Sequence, residues 1–477
     1  MIRGTMLLRI GALLTACSLL VLGCDSRPRD DTHEGGTAAA VDTADLLIHN
    51  GTVLTLDDAD TIIESGAVAV QDGRIVAVGA AAELERDYPT ARRVSAHGGI
   101  ILPGLINAHT HAPMVLFRGL ADDLDLMDWL EGTIFPAEAR HVDEEFVRWG
   151  TRMACLEMLR GGTTTFADMY YFEDVIAEVA DECGMRAVVG ETLIDFPAPD
   201  NKSWDQAMTY TRAFVEKWRG HPRVVPAVAP HSAYTVSGEH LVQAHNLASE
   251  LDVPLLTHLA EAQIEIEQVL AKTGQTSIQY LDDLGILDQR VLAAHVVLPS
   301  PAEIELLAHR GVGVAHCPQS NMKVAVGVAP VPAMLAAGVA IGLGTDGAAS
   351  NNDLNLWEEI DTAAKLHKVM SSDPTVLDAR QALRMATIEG ARALGLETEI
   401  GSVEVGKRAD LIVVRTDAYH QQPHYNLYSL LTYSTKASDV ETVVVEGRVV
   451  VENGQVLTLD ADEILAQVAV YRDRLRR

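Results

Sequence analysis

Cysteine is scarce in this chain, with only 5 among 477 residues. No two of them form a C-x-x-C pair, so a thiolate zinc site or a dithiol redox motif is not expected. The P-C-x-x-C segment of the zinc sites of cytidine deaminases is absent as well. The scarcity of thiols therefore removes two common ways of binding a metal ion.

Positive charge is also scarce, because 37 Lys and Arg face 67 Asp and Glu and leave a net charge of −30. Such a chain repels a phosphate backbone, so nucleic-acid binding is not expected. The motifs H-E-x-x-H and G-x-S-x-G are missing, which leaves metalloprotease and serine-esterase chemistry without support. The hydrophobic fraction of 48% is sufficient for a large core.

The first residues have the pattern of an export signal. Arg3 and Arg9 precede an apolar run, 10–22, that is too short to span a membrane comfortably. The run ends in Val21-Leu22-Gly23-Cys24, which resembles a bacterial lipobox. An ordinary signal peptide that happens to end near a cysteine is the alternative.

The lipobox interpretation predicts a signal peptide at 1–23, a lipid on Cys24 and a flexible tether over 24–43. The protein would then be anchored by lipid to a membrane of the bacterial cell envelope, in the periplasm or on the outer face of the inner membrane. Three cysteines would remain in an oxidising compartment and at least one would stay unpaired, so disulfides are not expected to hold the fold.

Both ends of the chain that follows are rich in short strand patterns. In the segment 44–103, the dipeptides Asn50-Gly51 and Asp72-Gly73 stand between apolar runs, which favours two hairpins. Similar apolar runs return in 402–460. The two segments predict one small β-sandwich domain built from both chain ends, followed by a C-terminal helix at 461–477.

The middle of the chain, 104–401, alternates buried-strand and helix patterns. Eight strand-then-helix units can be counted from Ile100 onward, which predicts a (β/α)8 TIM barrel. A doubly wound open sheet is the alternative. The clearest strand runs are 253–256, 291–294, 312–315 and 339–343, and the clearest helices are 144–160, 239–250 and 301–309.

Residues suited to metal chemistry follow four of these strands. The C-terminal ends of barrel strands meet at one mouth, and residues two apart on a strand face the same side. Imidazole and carboxylate groups there could hold zinc or a similar ion, which lowers the pKa of water to about 7. Each residue alone has an ordinary structural explanation, but their coincidence predicts a metal-dependent hydrolase. They are His109, His111, His258, Glu261, His295 and Asp346.

The segment 342–347 matches the spacing G-x-G-x-x-G of dinucleotide-binding loops. Such a loop follows the first strand of a βαβ unit, whereas this segment comes late in the chain. Asp346 inside the loop would repel a pyrophosphate. A dinucleotide site is therefore not expected.

The segments 103–111 (PGLINAHTH) and 406–411 (GKRADL) resemble the entry and exit signatures of the amidohydrolase superfamily. The segments 111–114, 118–123, 167–170 and 344–352 are similar to those of 5′-methylthioadenosine/S-adenosylhomocysteine deaminases. The resemblance extends from Ala44 to the C-terminus.

The resemblance implies a role for each of the strand-end residues. His109, His111, His258 and Asp346 would bind one Zn2+ per subunit, although Fe2+ or Mn2+ would also suit the site. Glu261 would move a proton to a ring nitrogen, His295 would hold the attacking water, and Asp346 would take its proton. No lysine occupies the matching end of strand four, so a carbamate-bridged metal pair is not expected.

The resemblance also implies substrate contacts. Trp129 and Glu138 would contact a nucleoside, Glu138 through the ribose hydroxyls, and His231 would contact the base; a core tryptophan, a solvated glutamate and a structural histidine are the alternatives. Glu191 stands where relatives that use S-adenosylhomocysteine carry an arginine for its carboxylate. The sequence therefore predicts a preference for 5′-methylthioadenosine, adenosine or 5′-deoxyadenosine.

The expected reaction is hydrolytic deamination of an adenine nucleoside to an inosine-type product and ammonia. Two alternatives stay open: the same site acting on guanine, 8-oxoguanine, a pterin or a chlorinated triazine, or a non-catalytic binding protein on the same scaffold. The expected partner is a small heterocyclic substrate. The sequence does not reveal the oligomeric state, and a homo-oligomer stays open.

Overall fold

The structure, a computed structural model, describes residues 43–476. The predictions for 1–42, which include the signal peptide, Cys24 and nearly all of the tether, lie outside these residues. The described residues belong to one compact unit. None of the helices among them combines the length and the apolar character that crossing a membrane would require.

Five strands and one helix precede the barrel. The Asp72-Gly73 dipeptide forms the expected two-residue hairpin between the second and third strands, with φ of 50° and 77°. Left-handed φ at both positions is what a type I′ turn requires. The elements are β1 (Leu46–Leu54), β2 (Ile62–Gln71), β3 (Arg74–Ala80), α1 (Ala81–Asp87), β4 (Arg92–Ser95) and β5 (Ile100–Pro103).

The predicted hairpin at Asn50-Gly51 is wrong, because β1 continues through this dipeptide. Asn50 has a φ of 59°, and the pairing of β1 with β2 shifts register on both sides of Gly51. The dipeptide is a β-bulge, which uses the same left-handed backbone as a tight turn. A side chain on Gly51 would lie 2.7 Å from Cβ of Ala96, so the close approach of the next segment requires glycine here.

Eight strands from the middle of the chain form the second sheet, and each pairs with the next one along the sequence in parallel. A doubly wound sheet would reverse its strand order, so this arrangement confirms the predicted (β/α)8 barrel. The strands are β6 (Leu105–Thr110), β7 (Thr163–Tyr170), β8 (Arg186–Leu193), β9 (Val224–Pro230), β10 (Leu255–Leu259), β11 (Val291–His295), β12 (Gly313–His316) and β13 (Ile341–Leu343).

Helices connect and cover these strands. A 3-10 turn at Ala112–Phe117 and a π-helical turn at Leu130–Ile134 interrupt the regular pattern after β6. The α-helices are α2 (Leu126–Trp129), α3 (Phe135–His141), α4 (Glu144–Arg160), α5 (Glu173–Cys183), α6 (Trp204–Trp218), α7 (Gly238–Leu251), α8 (Gln263–Thr273), α9 (Ser277–Asp283), α10 (Pro301–Arg310), α11 (Pro318–Lys323), α12 (Val331–Ala336), α13 (Leu356–Ser371), α14 (Ala379–Met385) and α15 (Ile388–Ala393).

The C-terminal strands return to the first sheet. β14 pairs antiparallel with β5, which joins the two chain ends in one sheet of nine strands. The sheet curls back on itself, because Ile75 N donates to Lys407 O at 2.9 Å and Gly406 N to Ile75 O at 2.8 Å. The remaining elements are β14 (Leu411–Val414), α16 (Leu427–Tyr433), β15 (Val440–Val445), β16 (Arg448–Glu452), β17 (Gln455–Val456) and α17 (Ala461–Leu475).

The predicted β-structure built from both chain ends is therefore present as a sheet of its own. It encloses a cluster of buried aliphatic side chains from both halves, among them Ile48 and Val68 from the first and Leu411 and Val444 from the second. The domain boundaries at residues 103 and 402 stay predictions.

The barrel closes between β13 and β6 through the side chain of Asn107. Its Nδ2 donates to Thr345 Oγ1 at 2.7 Å, and its Oδ1 accepts from Thr345 N at 3.0 Å. Next to it, Asp346 N donates to His109 O at 2.9 Å. A side chain on Gly344 would lie 2.9 Å from His109 N, so this glycine allows the first and last strands to meet. The two glycines of the G-x-G spacing, Gly342 and Gly344, thus allow β13 to lie close to β6.

Candidate active site

The two histidines after β6 point to the same side of the strand end. The pairing of β6 with β7 is irregular between Asn107 and Thr110. Thr110 points away from the mouth, since its Oγ1 donates to Ala167 O at 2.8 Å and to Asp168 Oδ2 at 2.6 Å. His109 and His111, on either side of Thr110, both face the barrel mouth.

Asp346 follows the last barrel strand, β13, and faces these two histidines of the neighbouring first strand, β6. Its Oδ1 lies 3.5 Å from His109 Nε2 and 3.3 Å from His111 Nε2. Its Oδ2 accepts hydrogen bonds from Ser320 Oγ at 2.6 Å and Ser350 Oγ at 2.8 Å. Burial alone would raise the pKa of Asp346, but the histidines, above all His109, hold this pKa well below its usual range. The carboxylate is ionised at neutral pH.

His258, at the end of β10, completes the group. Its Nε2 lies 3.3 Å from His111 Nε2. The Nδ1 atoms of both rings lie next to backbone carbonyls, at 2.9 Å from His231 O for His258 and at 2.6 Å from Met169 O for His111. A carbonyl only accepts, so each Nδ1 carries the proton and each Nε2 presents a lone pair.

These donor atoms fit a divalent metal ion. Two lone pairs that face each other at 3.3 Å repel, unless a cation lies between them. His109 Nε2 is buried and has no hydrogen-bond partner within 43–476. Burial lowers the pKa of His109 to about 4 and that of His258 well below its usual range, so both rings are neutral ligands. His109, His111 and Asp346 offer ligand atoms within 4.8 Å of one another.

Glu261 and His295 lie beside this group. The distance between His295 Nε2 and Glu261 Oε1 is 3.9 Å. Burial raises the pKa of Glu261. Burial would lower the pKa of His295, but the nearby carboxylates of Glu261 and Asp346 outweigh it and raise this pKa. A carboxyl group and an imidazole are thus available for proton transfer next to the candidate metal ligands.

Several positioning residues were not foreseen from the sequence. Glu265, in the first turn of α8, accepts from Ala260 N at 2.9 Å and from Glu261 N at 2.8 Å, which fixes the loop that carries Glu261. Asn321 Oδ1 lies 2.9 Å from His295 Nδ1. Only the spacing of Glu265, four residues after Glu261 at a helix start, could have indicated its role.

One cavity is lined by three of the candidate metal ligands, His111, His258 and Asp346. Its wall is mainly aromatic and aliphatic, and its charged groups are acidic. The structure brings His111, His258, Glu261, His295 and Asp346 to this cavity together with Trp129, Glu138 and His231. The other lining residues are Met114, Leu126, Leu130, Ile134, Phe135, Met169, Tyr170, Tyr171, Thr192 and Tyr234.

Three predicted substrate residues have polar groups suited to a ligand. Trp129 is buried, and its Nε1 has no hydrogen-bond partner among the described residues. Burial raises the pKa of Glu138 to about 8. His231 Nδ1 lies 3.1 Å from Ser232 Oγ and 3.0 Å from Thr235 Oγ1, which leaves its Nε2 for a ligand.

Glu191 does not line the cavity, and its placement as a substrate residue needs correction. It accepts from Asn201 Nδ2 at 3.0 Å and from Glu173 N at 3.2 Å, in the layer between β8 and α5. Val188 on the same strand faces the barrel interior, and residues of a strand alternate, so position 191 faces outward. Thr192 is the residue of β8 that reaches the cavity.

A model of the amidohydrolase family matches residues 100–450. The chain belongs to the amidohydrolase family. A model of the bacterial imidazolonepropionase-like composite domain matches residues 66–91. This amidohydrolase is 49% identical over 425 residues to a 5-methylthioadenosine/S-adenosylhomocysteine deaminase of Syntrophobacter fumaroxidans. The aligned residues cover 89% of this chain and 97% of the relative.

Solved structures of similar amidohydrolases extend this comparison. An adenosine deaminase from Xanthomonas campestris with bound zinc superposes with a TM-score of 0.89 at 42% identity, covering 91% of this chain and 99% of that one. An atrazine chlorohydrolase from Arthrobacter aurescens, complexed with zinc, gives a TM-score of 0.83 at 27% identity, covering 90% of this chain and 100% of that one.

Asp346→Asn is expected to weaken metal binding at least tenfold, because the variant removes the only anionic group of the proposed ligand set. Metal content after dialysis against a buffered divalent ion measures this change. Chelation should lower the thermal midpoint of the wild type more than that of the variant. Asp58→Asn, which changes a 92% exposed side chain, is the control. Equal metal content in both variants would contradict the assignment.

Glu138→Gln should change the pH dependence of stability. The folded pKa of about 8 lies above the ordinary value of 4.5, so the folded state binds this proton more tightly. Stability from this group is complete below the ordinary value and is lost as pH rises toward the folded pKa. The free energy of unfolding of the variant relative to wild type should rise by up to about 1.4 kcal/mol per pH unit in that window.

Urea unfolding at a series of pH values measures this difference. Glu131→Gln, on the same segment but exposed, is the control and should show a constant offset from wild type. A constant offset for Glu138→Gln as well would show that the carboxyl group does not titrate as expected.

Proposed function

We propose that this protein is a metal-dependent hydrolytic deaminase that converts an adenine nucleoside into an inosine-type product and ammonia. The observation that carries the proposal is the convergence of three imidazoles with the Asp346 carboxylate, next to a cavity that Asp346 and Glu261 both line. The names of its relatives, a 5-methylthioadenosine/S-adenosylhomocysteine deaminase and an adenosine deaminase, support the choice of substrate.

His109, His111, His258 and Asp346 would hold the ion, for which we propose zinc, since two similar structures contain it. Fe2+ and Mn2+ would suit the same donors. A divalent ion in such a site lowers the pKa of a water molecule to about 7 and so supplies a nucleophile at neutral pH.

The residues of the chain would move the protons. Asp346 takes the proton of the attacking water, while His295, held by Asn321, orients that water through Nε2. Glu261 protonates the ring nitrogen next to the amino-bearing carbon. Burial raises the pKa of Glu261, which favours the protonated form that a general acid requires. After the C–O bond forms, the proton held by Asp346 passes to the amino group, the C–N bond breaks and ammonia leaves. The remaining hydroxyl proton returns to Glu261, which leaves a carbonyl group at that carbon.

The cavity wall would bind the nucleoside. Glu138 would accept hydrogen bonds from the ribose hydroxyls, and Trp129 would pack against the substrate and donate from Nε1. His231 would contact the base. Apolar side chains of Leu126, Ile134 and other residues of the wall would surround the 5′ substituent.

The direct test is ammonia release by the zinc-loaded protein from a panel of substrates. The panel contains 5′-methylthioadenosine, adenosine, 5′-deoxyadenosine and S-adenosylhomocysteine, with guanine, 8-oxoguanine, a pterin and a chlorinated triazine as rivals; for the triazine, release of chloride is measured as well. Turnover of the rivals alone would favour another aminated or chlorinated heterocycle. Binding without turnover of any of them would favour a non-catalytic binding protein.

Glu261→Gln is expected to lower kcat at least about 100-fold while zinc content stays unchanged, because the variant cannot protonate the ring nitrogen. Glu267→Gln, on the exposed side of the following helix, should keep wild-type kcat. A Glu261→Gln enzyme with wild-type kcat would contradict the proposed proton transfer.

S-adenosylhomocysteine should be a poorer substrate than 5′-methylthioadenosine, because the cavity lining contains acidic groups and no Lys or Arg among the described residues. Glu191, which faces away from the cavity, does not contribute to this preference. Thr192→Arg places a cation on the wall, so it should raise the ratio of kcat/KM for S-adenosylhomocysteine to that for 5′-methylthioadenosine about tenfold or more. Thr192→Gln controls for side-chain size, and an equal ratio in both variants would contradict the prediction.

We also propose that Cys24 carries the lipid that anchors the protein in the cell envelope. The support is the lipobox-like segment 21–24 and the polar segment that follows it. In a bacterial host, the wild type should sediment with membranes and incorporate labelled palmitate, whereas Cys24→Ala should do neither. Equal labelling and equal sedimentation of the two proteins would exclude the anchor.

A further inference from the structure

His111 lies where β6 ends and the chain enters the 3-10 turn at Ala112–Phe117. Its backbone is neither helical nor extended, with φ of −128° and ψ of 73°. The pairing of β6 with β7 is irregular just before it, between Asn107 and Thr110. The sheet alone therefore does not determine the direction in which the imidazole of His111 points.

The carboxyl group of Asp168, on β7, holds the chain on both sides of His111. Thr110 and Asp168 lie opposite each other in the two strands. Asp168 Oδ2 accepts a hydrogen bond from Thr110 Oγ1 at 2.6 Å and another from Ala112 N at 2.5 Å. The next residue, Met169, places its carbonyl oxygen 2.6 Å from His111 Nδ1. Two adjacent residues of β7 thus fix the backbone around His111 and the orientation of its ring.

The ligands on other strands are held by other groups. His258 Nδ1 lies 2.9 Å from His231 O. Asp346 Oδ2 accepts from Ser320 Oγ at 2.6 Å and from Ser350 Oγ at 2.8 Å. The contacts of Asp168 with Thr110 and Ala112 therefore act on the end of β6, and not on the ends of β10 and β13.

The burial of Asp168 explains why its oxygens must be used. Its side chain is fully buried, and a buried carboxyl group is costly unless its oxygens form hydrogen bonds. Oδ2 alone accepts both hydrogen bonds beside His111, so the geometry requires an acceptor oxygen at this position. The neighbouring carboxyl group of Glu173 offers an acceptor for an amide in the place of Asp168.

We propose that Asp168 is a positioning residue for the metal site, which orients His111 through hydrogen bonds to both of its neighbours in the chain. The inference rests on the proposed function, because it requires that His111 binds a divalent ion. The competing explanation is that Asp168 only joins β6 to β7 and supports the fold equally with and without a metal ion.

The first test compares two substitutions of Asp168 by their affinity for zinc, measured by competition with a chelator. Asp168→Ala should raise the dissociation constant at least about tenfold, as the loss of groups that orient a ligand does. Asp168→Asn keeps an acceptor oxygen for Thr110 and Ala112 and should stay within about threefold of wild type. Wild-type affinity in Asp168→Ala, or an equal loss in both variants, would overturn the proposal.

Double-mutant cycles separate the positioning of His111 from general support of the fold. In a His111→Ala background, Asp168→Ala should change the zinc dissociation constant less than about threefold, because the oriented ligand is gone. In a His258→Ala background, the full effect of Asp168→Ala should remain. Equal effects of Asp168→Ala in the two backgrounds would assign it to the fold and contradict the proposal.

The visible spectrum of the Co2+-substituted protein reports the geometry around the ion. Asp168→Ala should change this spectrum, whereas Asp168→Asn should retain that of the wild type. A wild-type spectrum in Asp168→Ala would also overturn the proposal. Should Asp168→Ala not fold, Thr110→Val, which removes one of the two donors, should weaken zinc binding about threefold in the wild type and not in His111→Ala. An unchanged affinity in Thr110→Val would then decide against the proposal.

These measurements require no turnover, so they distinguish a failure of this inference from a failure of the proposed function. If zinc binding depends on Asp168 as expected but no nucleoside releases ammonia, only the proposed reaction fails. If ammonia is released and Asp168→Ala binds zinc as the wild type does, only this inference fails. If the wild type binds no divalent ion, both fail.

Discussion

The structure depends on one electrostatic requirement: the lone pairs of three imidazoles and one carboxylate, which face one another at the barrel mouth, need a cation between them. The Nε2 atoms of His111 and His258 lie 3.3 Å apart with both Nδ1 protons committed to carbonyls. His109 Nε2 has no other partner within the described residues. Without a bound ion the facing lone pairs of His111 and His258 would repel each other and His109 Nε2 would stay unsatisfied, which is costly in a protein interior. With one, the same arrangement holds together the ends of three chain segments, β6, β10 and β13.

Much of the barrel serves to hold this arrangement. Asn107 and Gly344 bring the first and last strands close enough for Asp346 to reach the histidines of β6. At three strand ends the backbone is left-handed, with φ of 52° at Ala260, 74° at His295 and 63° at Asp346. Such conformations cost about 1–3 kcal/mol each for residues with a side chain, and they persist where surrounding contacts determine them. Glu265 and the serines around Asp346 provide those contacts.

The sequence predicted the barrel and the residues at its mouth well, because both follow from the regular spacing of apolar residues in strands and helices. His258, Glu261 and His295 follow uninterrupted apolar strands, and the order of those strands settles which end they share. The failures have two physical causes, local irregularity of the backbone and the register of a regular strand. Asn50-Gly51 is a bulge in place of a hairpin, and Glu191 faces outward because alternation along β8 depends on the register of the whole strand. The π-turn before Pro136 and the contacts of Asn321 depend on tertiary packing, which the spacing of apolar residues along the sequence does not reveal.

The central claim is that one cation joins these four side chains. X-ray absorption spectroscopy of the zinc-loaded protein tests it most directly, because the ligand shell reports both the kind and the number of donors. The account predicts one zinc per chain in a shell of three imidazole nitrogens and at least one carboxylate oxygen, with an imidazole missing after His258→Ala. A shell with fewer than three imidazoles, a second zinc close to the first, or a spectrum unchanged by His258→Ala would contradict it.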